Sequence, residues 1–254
     1  MKKHSRTAAA LMLGLSIVLS LIAKVQAAEL QVLAGGAMVE PLRELAPRFE
    51  KTSGHKLVFH FGATPELIKL ATTGTPFDLG VFPEDVLKHA AARAQFAAGP
   101  ATRIAHAGLA VAVRAGAPRP DISTPDALKQ ALLRAKSIVT IPASATGTQL
   151  LQVFEVLGIS EAMKLKTMAQ ATPAQIAETV ARGDGELAVF LVNVLMAPGL
   201  DVVGPFPAEL RREVVFTAAI AANTKEVEVA KAFIAYLRSP AAIAVLKAKG
   251  LEPG

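Results

Sequence analysis

The sequence predicts an α/β protein whose mixed or parallel sheets are flanked by helices. Strand-like segments cover residues 29–34, 56–61 and 77–82, and helical segments follow the first two. Alternating strands and helices are typical of parallel sheets, because each return crossing runs through a helix. The loops that follow such strands gather at the carboxyl edge of the sheet, where ligands bind in folds of this class.

The first two strand–helix units are each broken by small residues. Gly35-Gly36-Ala37 ends the first strand, and Gly62-Ala63-Thr64 ends the second. The apolar face of the first helix repeats at helical spacing through Met38, Leu42, Leu45 and Phe49. Gly54 is predicted to end that helix.

Helix starts are marked by a hydroxyl residue before a proline. A hydroxyl accepts a hydrogen bond from a free helix N–H, and proline suits the first helical position because it lacks an N–H. These pairs are Thr64-Pro65, Thr124-Pro125, Thr172-Pro173 and Ser239-Pro240. Further strands are predicted at residues 108–114, 137–141, 186–191, 201–203 and 213–222, and amphipathic helices at 225–237 and 240–249.

The N-terminus predicts export. Lys2, Lys3 and Arg6 precede a mostly apolar run at residues 8–23, and a small-x-small site ends at Ala27. An uncleaved membrane anchor is the alternative, but the run is short for a membrane span. We predict a signal peptide over residues 1–27. The chain has no cysteine, so a cysteine-acylated lipoprotein is excluded and a soluble periplasmic protein is expected.

Charge and composition exclude several classes of function. The chain has 27 basic and 21 acidic residues; four basic and no acidic residues precede residue 28, so the mature net charge is +2. No basic block for nucleic acid remains. Eleven Phe, one Tyr and no Trp argue against a sugar site built on aromatic platforms. The histidines lack metal-ligand spacing, so we predict no metal ion and no cofactor.

The order of several motifs resembles that of a known family. They are LAGGAM at residues 33–38, FEKTSG at 49–54, FGAT at 61–64, FDLGV at 77–81, IPAS at 141–144 and GELAVF at 185–190. The chain resembles the periplasmic molybdate-binding proteins of ABC transporters, which have the type 2 periplasmic-binding-protein fold. The resemblance covers essentially the whole mature chain.

The resemblance implies two α/β lobes that close on a ligand. The first lobe would combine residues 28–106 with 214–254, and the second would comprise residues 107–213. Two strands, near residues 105–114 and 213–222, would form the hinge crossings. Proteins of this family hold a tetrahedral oxyanion with hydroxyl groups and with backbone N–H groups at helix starts, where the helix dipole favours an anion.

The resemblance also implies a ligand site, with two departures from the family pattern. A serine of the family falls on Ala37, and a tyrosine falls on Phe190, so two hydroxyls are missing. A serine pair falls on Ala63 and Thr64, and Asn193 is a candidate substitute for the tyrosine. The full predicted ligand-binding set is Gly36, Ala37, Ala63, Thr64, Ser144, Thr146, Thr172, Phe190 and Asn193.

We therefore predict a monomeric, non-enzymatic binding protein that captures a small oxyanion, molybdate or tungstate first, for an ABC permease. The same fold binding a small organic anion, as transporter component or sensor, is the alternative. A secreted serine hydrolase is a remote third. It would need a base beside its nucleophile, and Ser144 has no histidine partner evident in the sequence.

Overall fold

The computed structural model describes residues 27–254, so the predicted signal peptide lies outside the described residues except for Ala27. The strands are β1 (Glu29–Gly35), β2 (Lys56–Gly62), β3 (Leu79–Pro83), β4 (Thr102–Arg114), β5 (Ile138–Thr140), β6 (Thr167–Ala169), β7 (Leu187–Leu191), β8 (Leu200–Pro205), β9 (Glu213–Ile220) and β10 (Glu252–Pro253). The helices are α1 (Val39–Ser53), α2 (Thr64–Thr72), α3 (Ala90–Arg93), α4 (Pro125–Arg134), α5 (Ala145–Val156), α6 (Ser160–Lys166), α7 (Pro173–Arg182), α8 (Val192–Leu195), α9 (Val227–Leu237) and α10 (Pro240–Ala248). Short 3₁₀ turns cover Gly36–Met38, Glu84–Lys88 and Ala208–Leu210.

The sheet is mixed, as predicted. Neighbouring strands follow the order β2-β1-β3-β9-β4-β7-β5-β6, and β8 and β10 also pair with β4. β1 runs parallel to β2 and β3, and β5 runs parallel to β6 and β7. β9 is antiparallel to β3 and β4, and β7 is antiparallel to β4.

One long strand connects the two halves of this sheet. The first part of β4, through Gly108, pairs with β9. From Leu109 onward β4 pairs with β7, and from Ala110 it also pairs with β8. The partner strands therefore change at a single point along β4, within a segment that the family resemblance implies to be a hinge crossing.

The C-terminal helices pack against α1. Phe49 on α1 lies against Phe233 and Tyr236 on α9, with ring centroids 4.9 and 5.5 Å apart. Lys249 also reaches Glu44 on α1, with an N–O distance of 3.3 Å. The C-terminal helices are thus part of the same packed layer as the first strand–helix unit.

The helical stripes are confirmed. Leu42, Leu45 and Phe49 are buried, and Met38 is buried in the turn before α1. Gly54 ends α1 in the left-handed conformation, with φ of 76°, which glycine adopts without strain.

Three of the four predicted hydroxyl caps are confirmed, and one is wrong. Thr124, Thr172 and Ser239 each accept a hydrogen bond from an N–H in the first turn of the helix that follows. Thr64 does not cap α2. Ala63 is the residue before that helix and Thr64 is its first residue. The Thr64 hydroxyl accepts from the Ala145 N–H of another helix instead.

Several predicted strand ends differ from the structure. β4 begins at residue 102 rather than 108, because its first half finds a partner in β9. β3 begins at Leu79 rather than Phe77. The Asp78 side chain accepts bonds from the Gln31 N–H and the Thr224 hydroxyl, at 2.8 and 2.6 Å, and so ties β1 to the segment after β9.

No single helix within residues 27–254 has the length and apolar character needed to cross a membrane; only α9 and α10 together pass that test, and they are bent by 60°.

Candidate functional site

A small cavity of about 30 Å³ lies where the strand ends of the first half of the sheet meet the helix starts of the second. It is lined by Gly36, Ala37, Gly62, Ala63, Thr64, Pro83, Ile141, Ser144, Ala145, Thr146, Pro173, Phe190 and Phe216. Seven of the nine predicted ligand-binding residues are in this lining. Thr172 and Asn193 are not.

The turn after β1 lies directly against α7. A Cβ atom on Gly36 would come within 3.2 Å of the Pro173 ring, which is tighter than ordinary contact. Glycine at position 36 therefore allows the turn to approach the start of α7. Ala37 follows in the same 3₁₀ turn, so the cavity receives backbone and a methyl group where the family pattern has a hydroxyl.

The start of α2 is joined to the start of α5. Ala63 offers α2 no side-chain cap, and the Thr64 Oγ1 accepts a hydrogen bond from the Ala145 N–H at 3.2 Å. These residues are 81 positions apart. Because the oxygen is the acceptor in this bond, the hydroxyl hydrogen of Thr64 remains available to a ligand.

Ser144 uses its hydroxyl within its own half of the protein. Its Oγ accepts from the Gly147 N–H at 3.0 Å and donates to the Ile141 carbonyl at 2.7 Å. The single hydroxyl hydrogen is therefore engaged. Ser144 contributes to the cavity wall mainly by fixing the first turn of α5, which places Ala145 and the buried Thr146 at the cavity.

Thr172 lies next to the cavity rather than in its wall. Its Oγ1 accepts from the Gln175 N–H at 3.4 Å, and the Gln175 side chain accepts from the Thr172 N–H at 3.0 Å. This reciprocal pair is a capping box. It directs the Thr172 hydroxyl into α7, and Pro173 takes the place in the lining.

Asn193 reaches across the structure to the first turn. Its Nδ2 donates to the Ala37 carbonyl at 2.8 Å, so it touches a lining residue without lining the cavity itself. Phe190, three residues earlier, does line the cavity and is 3% exposed. The predicted substitution of a tyrosine hydroxyl by the Asn193 amide is not what this geometry shows.

Pro83 and Phe216 are apolar lining residues that the sequence analysis missed. Pro83 ends β3 and Phe216 lies on β9, and both are buried. The carboxyl end of β3 is a position where the predicted sheet topology places ligand loops, and that signal could have found Pro83. Phe216 has no such signal, because a buried phenylalanine on a strand reads as an ordinary core residue.

The cavity is electrically neutral in its side chains. None of its thirteen lining residues is ionisable, and its polar groups are hydroxyls and backbone. Helix starts supply the positive potential, since the amino end of each helix carries the equivalent of about half a positive charge. Within residues 27–254, no three His, Asp or Glu side chains are grouped as metal ligands. The arrangement can hold a compact ligand that accepts hydrogen bonds.

A larger groove of about 570 Å³ lies at the amino end of β7, away from Phe190. Arg119, Arg134 and Glu186 are among its lining residues. It contains none of the predicted ligand-binding residues, and its charged side chains are exposed. The helix starts do not meet there, so we place the candidate site at the small cavity.

The strand ends of one half of the sheet and the helix starts of the other therefore meet at one small cavity. The chain belongs to the family of bacterial extracellular solute-binding proteins, whose sequence profile matches residues 30–252. The class of solute-binding protein expected from the sequence is thereby confirmed.

The chain is similar, over most of its length, to two proteins of different function. The chain is 33% identical to an aconitate isomerase of Pseudomonas sp over 233 residues, which cover 88% of this chain and 87% of the relative. It is 28% identical to the molybdate-binding protein ModA of Azotobacter vinelandii over 228 residues, covering 89% and 90%.

A solved structure confirms the predicted fold. The periplasmic molybdate-binding protein of Azotobacter vinelandii superposes with a TM-score of 0.70 at 20% identity, covering 89% of this chain and 99% of the other. At this identity the similarity supports the fold of a periplasmic binding protein. Together with the ModA match, it confirms the resemblance to molybdate-binding proteins that the sequence motifs indicated.

Proposed function

We propose that this protein is a periplasmic solute-binding protein that captures a compact oxyanion of the molybdate and tungstate type and delivers it to an ABC permease. The observation that carries the proposal is the convergence of the starts of α2, α5 and α7 on an uncharged cavity of about 30 Å³. Helix N-termini bind anions without a full positive charge, because free N–H groups and the helix dipole act together.

The size of the cavity favours a compact ion. A cavity of about 30 Å³ is far below the roughly 300–1,000 Å³ of pockets for drug-sized organic ligands. An oxyanion presents only hydrogen-bond acceptors at its surface, which suits the positive ends of helices. The Thr64 hydroxyl adds a donor, because its oxygen already accepts from Ala145 and its hydrogen is available.

The change of partner along β4 supports the two predicted lobes. Residues 28–106 and 214–254 would form the first lobe, and residues 107–213 the second. The Thr64–Ala145 bond then joins the two lobes, and the described arrangement is the closed one. In the mature, monomeric protein, released from a signal peptide at Ala27, closure would exclude water from the bound ion.

The aconitate isomerase relative motivates a second candidate, a site for an organic acid such as aconitate. Aconitate carries three carboxylates, and sites for such anions usually use arginine or lysine side chains. The cavity lining has neither. Isomerisation would also need a group that moves a proton, and no lining side chain titrates near neutral pH. The geometry therefore favours binding of an oxyanion over turnover of aconitate.

A thermal-shift screen of residues 28–254 tests the proposal. The ligands are molybdate, tungstate, sulfate, phosphate and the cis and trans isomers of aconitate. At a thousand times its dissociation constant, a ligand contributes about 4 kcal/mol of stability, which for a chain of this size raises Tm by roughly 8–16 °C.

A large shift with molybdate and tungstate supports the proposal. A shift with aconitate alone contradicts it and supports the organic-acid candidate. Proton NMR of cis-aconitate incubated with the protein then distinguishes binding from turnover, because the trans isomer has a separate vinyl signal. Absence of any shift contradicts both candidates.

A further inference from the structure

We propose that Asn193 is a positioning residue that holds the cleft closed by binding the turn Gly36–Met38. This inference rests on the proposed function in one respect, namely that the two predicted lobes move relative to each other. Its evidence is separate from the identity of the ligand. It consists of one hydrogen bond, one proline, one unpaired amide oxygen and one close glycine.

The hydrogen bond joins distant parts of the chain. The Asn193 Nδ2 donates to the Ala37 carbonyl at 2.8 Å, across 156 positions of sequence. Ala37 lies in the predicted first lobe and also lines the cavity, and Asn193 lies on α8 in the predicted second lobe. The bond therefore connects the opposite lobe to the backbone that faces the ligand.

A proline removes one possible partner of the Ala37 carbonyl. In an α-helix that carbonyl would accept from the N–H four residues later. The residue at that position is Pro41, which has no N–H. A half-buried carbonyl needs a partner, and Asn193 supplies it from the other side of the cleft.

The amide of Asn193 is only half satisfied. Its Oδ1 is buried and has no hydrogen-bond partner among residues 27–254. An unpaired buried acceptor destabilises the fold, so an apolar side chain of the same shape would suit the packing better. The hydrogen bond from Nδ2 to the Ala37 carbonyl, rather than a contribution to stability, therefore accounts for asparagine at position 193.

α8 also packs against the C-terminal segment. A Cβ on Gly250 would lie 3.3 Å from the Asn193 Cα and 2.6 Å from the Met196 sulfur. Gly250 has φ of 78° and follows α10 in the predicted first lobe. An opening of the cleft that moves α8 away from the Ala37 turn would break the Asn193 bond.

The consequence is a closed population before ligand arrives. When only one conformational state binds the ligand, the apparent association constant is that of the competent state multiplied by the fraction of molecules in that state. Asn193 raises the closed fraction. One neutral hydrogen bond changes such an equilibrium by roughly fivefold.

The absence of cysteine allows a direct distance measurement. Cysteines introduced at the exposed positions Lys51 and Glu161, one in each predicted lobe, accept two spin labels and no others. Electron–electron double resonance then gives the distribution of lobe separations without ligand. Asn193→Leu keeps the shape and removes the donor, and Asn193→Ala is a smaller second variant that cannot clash.

Thr167→Val is the matched control. It removes a hydroxyl that donates to the Met163 carbonyl at 2.7 Å within a single lobe. We expect the ratio of open to closed separations to rise roughly fivefold in both Asn193 variants and to stay at the wild-type value in the control.

Superimposable distance distributions for wild type and both Asn193 variants would overturn the inference. An equal change in Thr167→Val would also overturn it, because loss of any hydrogen bond would then suffice. The measurement uses no anion, so it can succeed where the ligand screen fails. Conversely, a positive screen with unchanged distances supports the proposed function and removes the role of Asn193.

Discussion

The two sides of the cleft begin their helices in different ways. In the second half of the sheet, α5 and α7 are capped by Ser144 and Thr172, residues that lie next to them in sequence. In the first half, Ala63 precedes α2 and offers it no side-chain cap, and the hydroxyl of Thr64, the first residue of α2, is bonded to Ala145 of α5.

This difference predicts that the hydroxyls of the second side contribute mainly to folding stability and that the hydroxyl of the first side contributes mainly to ligand binding. The hydroxyls of the second side satisfy N–H groups of their own helices, so their loss should lower the free energy of unfolding. The hydroxyl of the first side joins two helices across the cleft and keeps its hydrogen available. Its loss should weaken ligand binding more than folding. The four predictions below test this separation.

The largest effect is expected at the start of α5. A Cβ on Gly147 would lie 2.3 Å from the backbone oxygens of Ile141 and Pro142, and backbone cannot move aside as a flexible side chain does. Gly147→Ala should therefore reduce the free energy of unfolding by about 3 kcal/mol, a fall in Tm of roughly 6–12 °C. Thermal denaturation of the ligand-free protein measures it.

Gln152→Ala, an exposed change on the same helix, is the control for Gly147→Ala and should leave Tm nearly unchanged. A Gly147→Ala protein with wild-type Tm would show that the first turn of α5 is not a fixed part of the second side.

The next largest effect is expected at Thr64. Thr64→Val removes the hydroxyl that accepts from Ala145 and that would donate to the anion. A hydrogen bond to a charged group contributes about 1.5–3 kcal/mol, so the dissociation constant for molybdate should rise roughly tenfold to a hundredfold. Titration calorimetry measures it, and thermal denaturation without ligand measures separately the cost of leaving the Ala145 N–H unpaired.

Thr64→Ser retains the hydroxyl and should bind nearly as the wild type does. If Thr64→Val binds molybdate with an unchanged dissociation constant, the first side does not contribute its hydroxyl to the ligand, and the contrast between the two sides fails for binding.

A smaller effect is expected for the cap of α5. Ser144→Ala removes an N-cap, which costs about 1 kcal/mol of stability and lowers Tm by roughly 2–4 °C. Thr124→Ala removes the cap of α4, remote from the cavity lining, and should have a similar effect on Tm. Loss of molybdate affinity in Ser144→Ala as large as in Thr64→Val would contradict the separation.

The smallest effect, on folding stability, is expected at Glu50, which lies on the first side away from the cavity lining. The Glu50 carboxylate accepts the Leu57 N–H at 2.9 Å and pairs with Lys56 at 2.9 Å. The Leu57 N–H, followed by Lys56, lowers the pKa of Glu50 below its ordinary value. The folded pKa is below the unfolded one, so this contribution is present at neutral pH and is lost as the pH falls through the folded pKa.

Glu50→Gln should therefore destabilise the protein at pH 7 by less than about 1 kcal/mol. The difference from wild type should shrink below the usual glutamate pKa of about 4.3. Urea denaturation at several pH values measures this. A difference that stays constant down to pH 3 would mean that the carboxylate charge contributes nothing.

Local patterns predicted most of the fold. The apolar stripe of α1, its glycine stop and the caps at Thr124, Thr172 and Ser239 are all local signals, and the structure confirms them. The short strands β6 and β10 were missed, because three and two residues are too few to show a period.

The candidate site was only partly predictable. Seven predicted residues meet at the cavity because they follow strand ends or begin helices, and topology places those points together. Thr172 and Asn193 do not line it. Their positions in sequence were suitable, but the Thr172 hydroxyl bonds within its own helix start and the Asn193 amide bonds to Ala37.

The sequence by itself determined the α/β class, the order of most strands and helices, and the small residues at the ends of β1 and β2. These depend on periodicity and on backbone preferences, which act between neighbours in the chain. Only the tertiary structure decided which partner each polar side chain takes. Thr64-Pro65 and Thr172-Pro173 look alike in sequence, yet one hydroxyl bonds to a helix 81 residues away and the other caps its own. A side-chain hydroxyl bonds to the group that the fold brings within about 3 Å, and that distance is set by packing across the cleft.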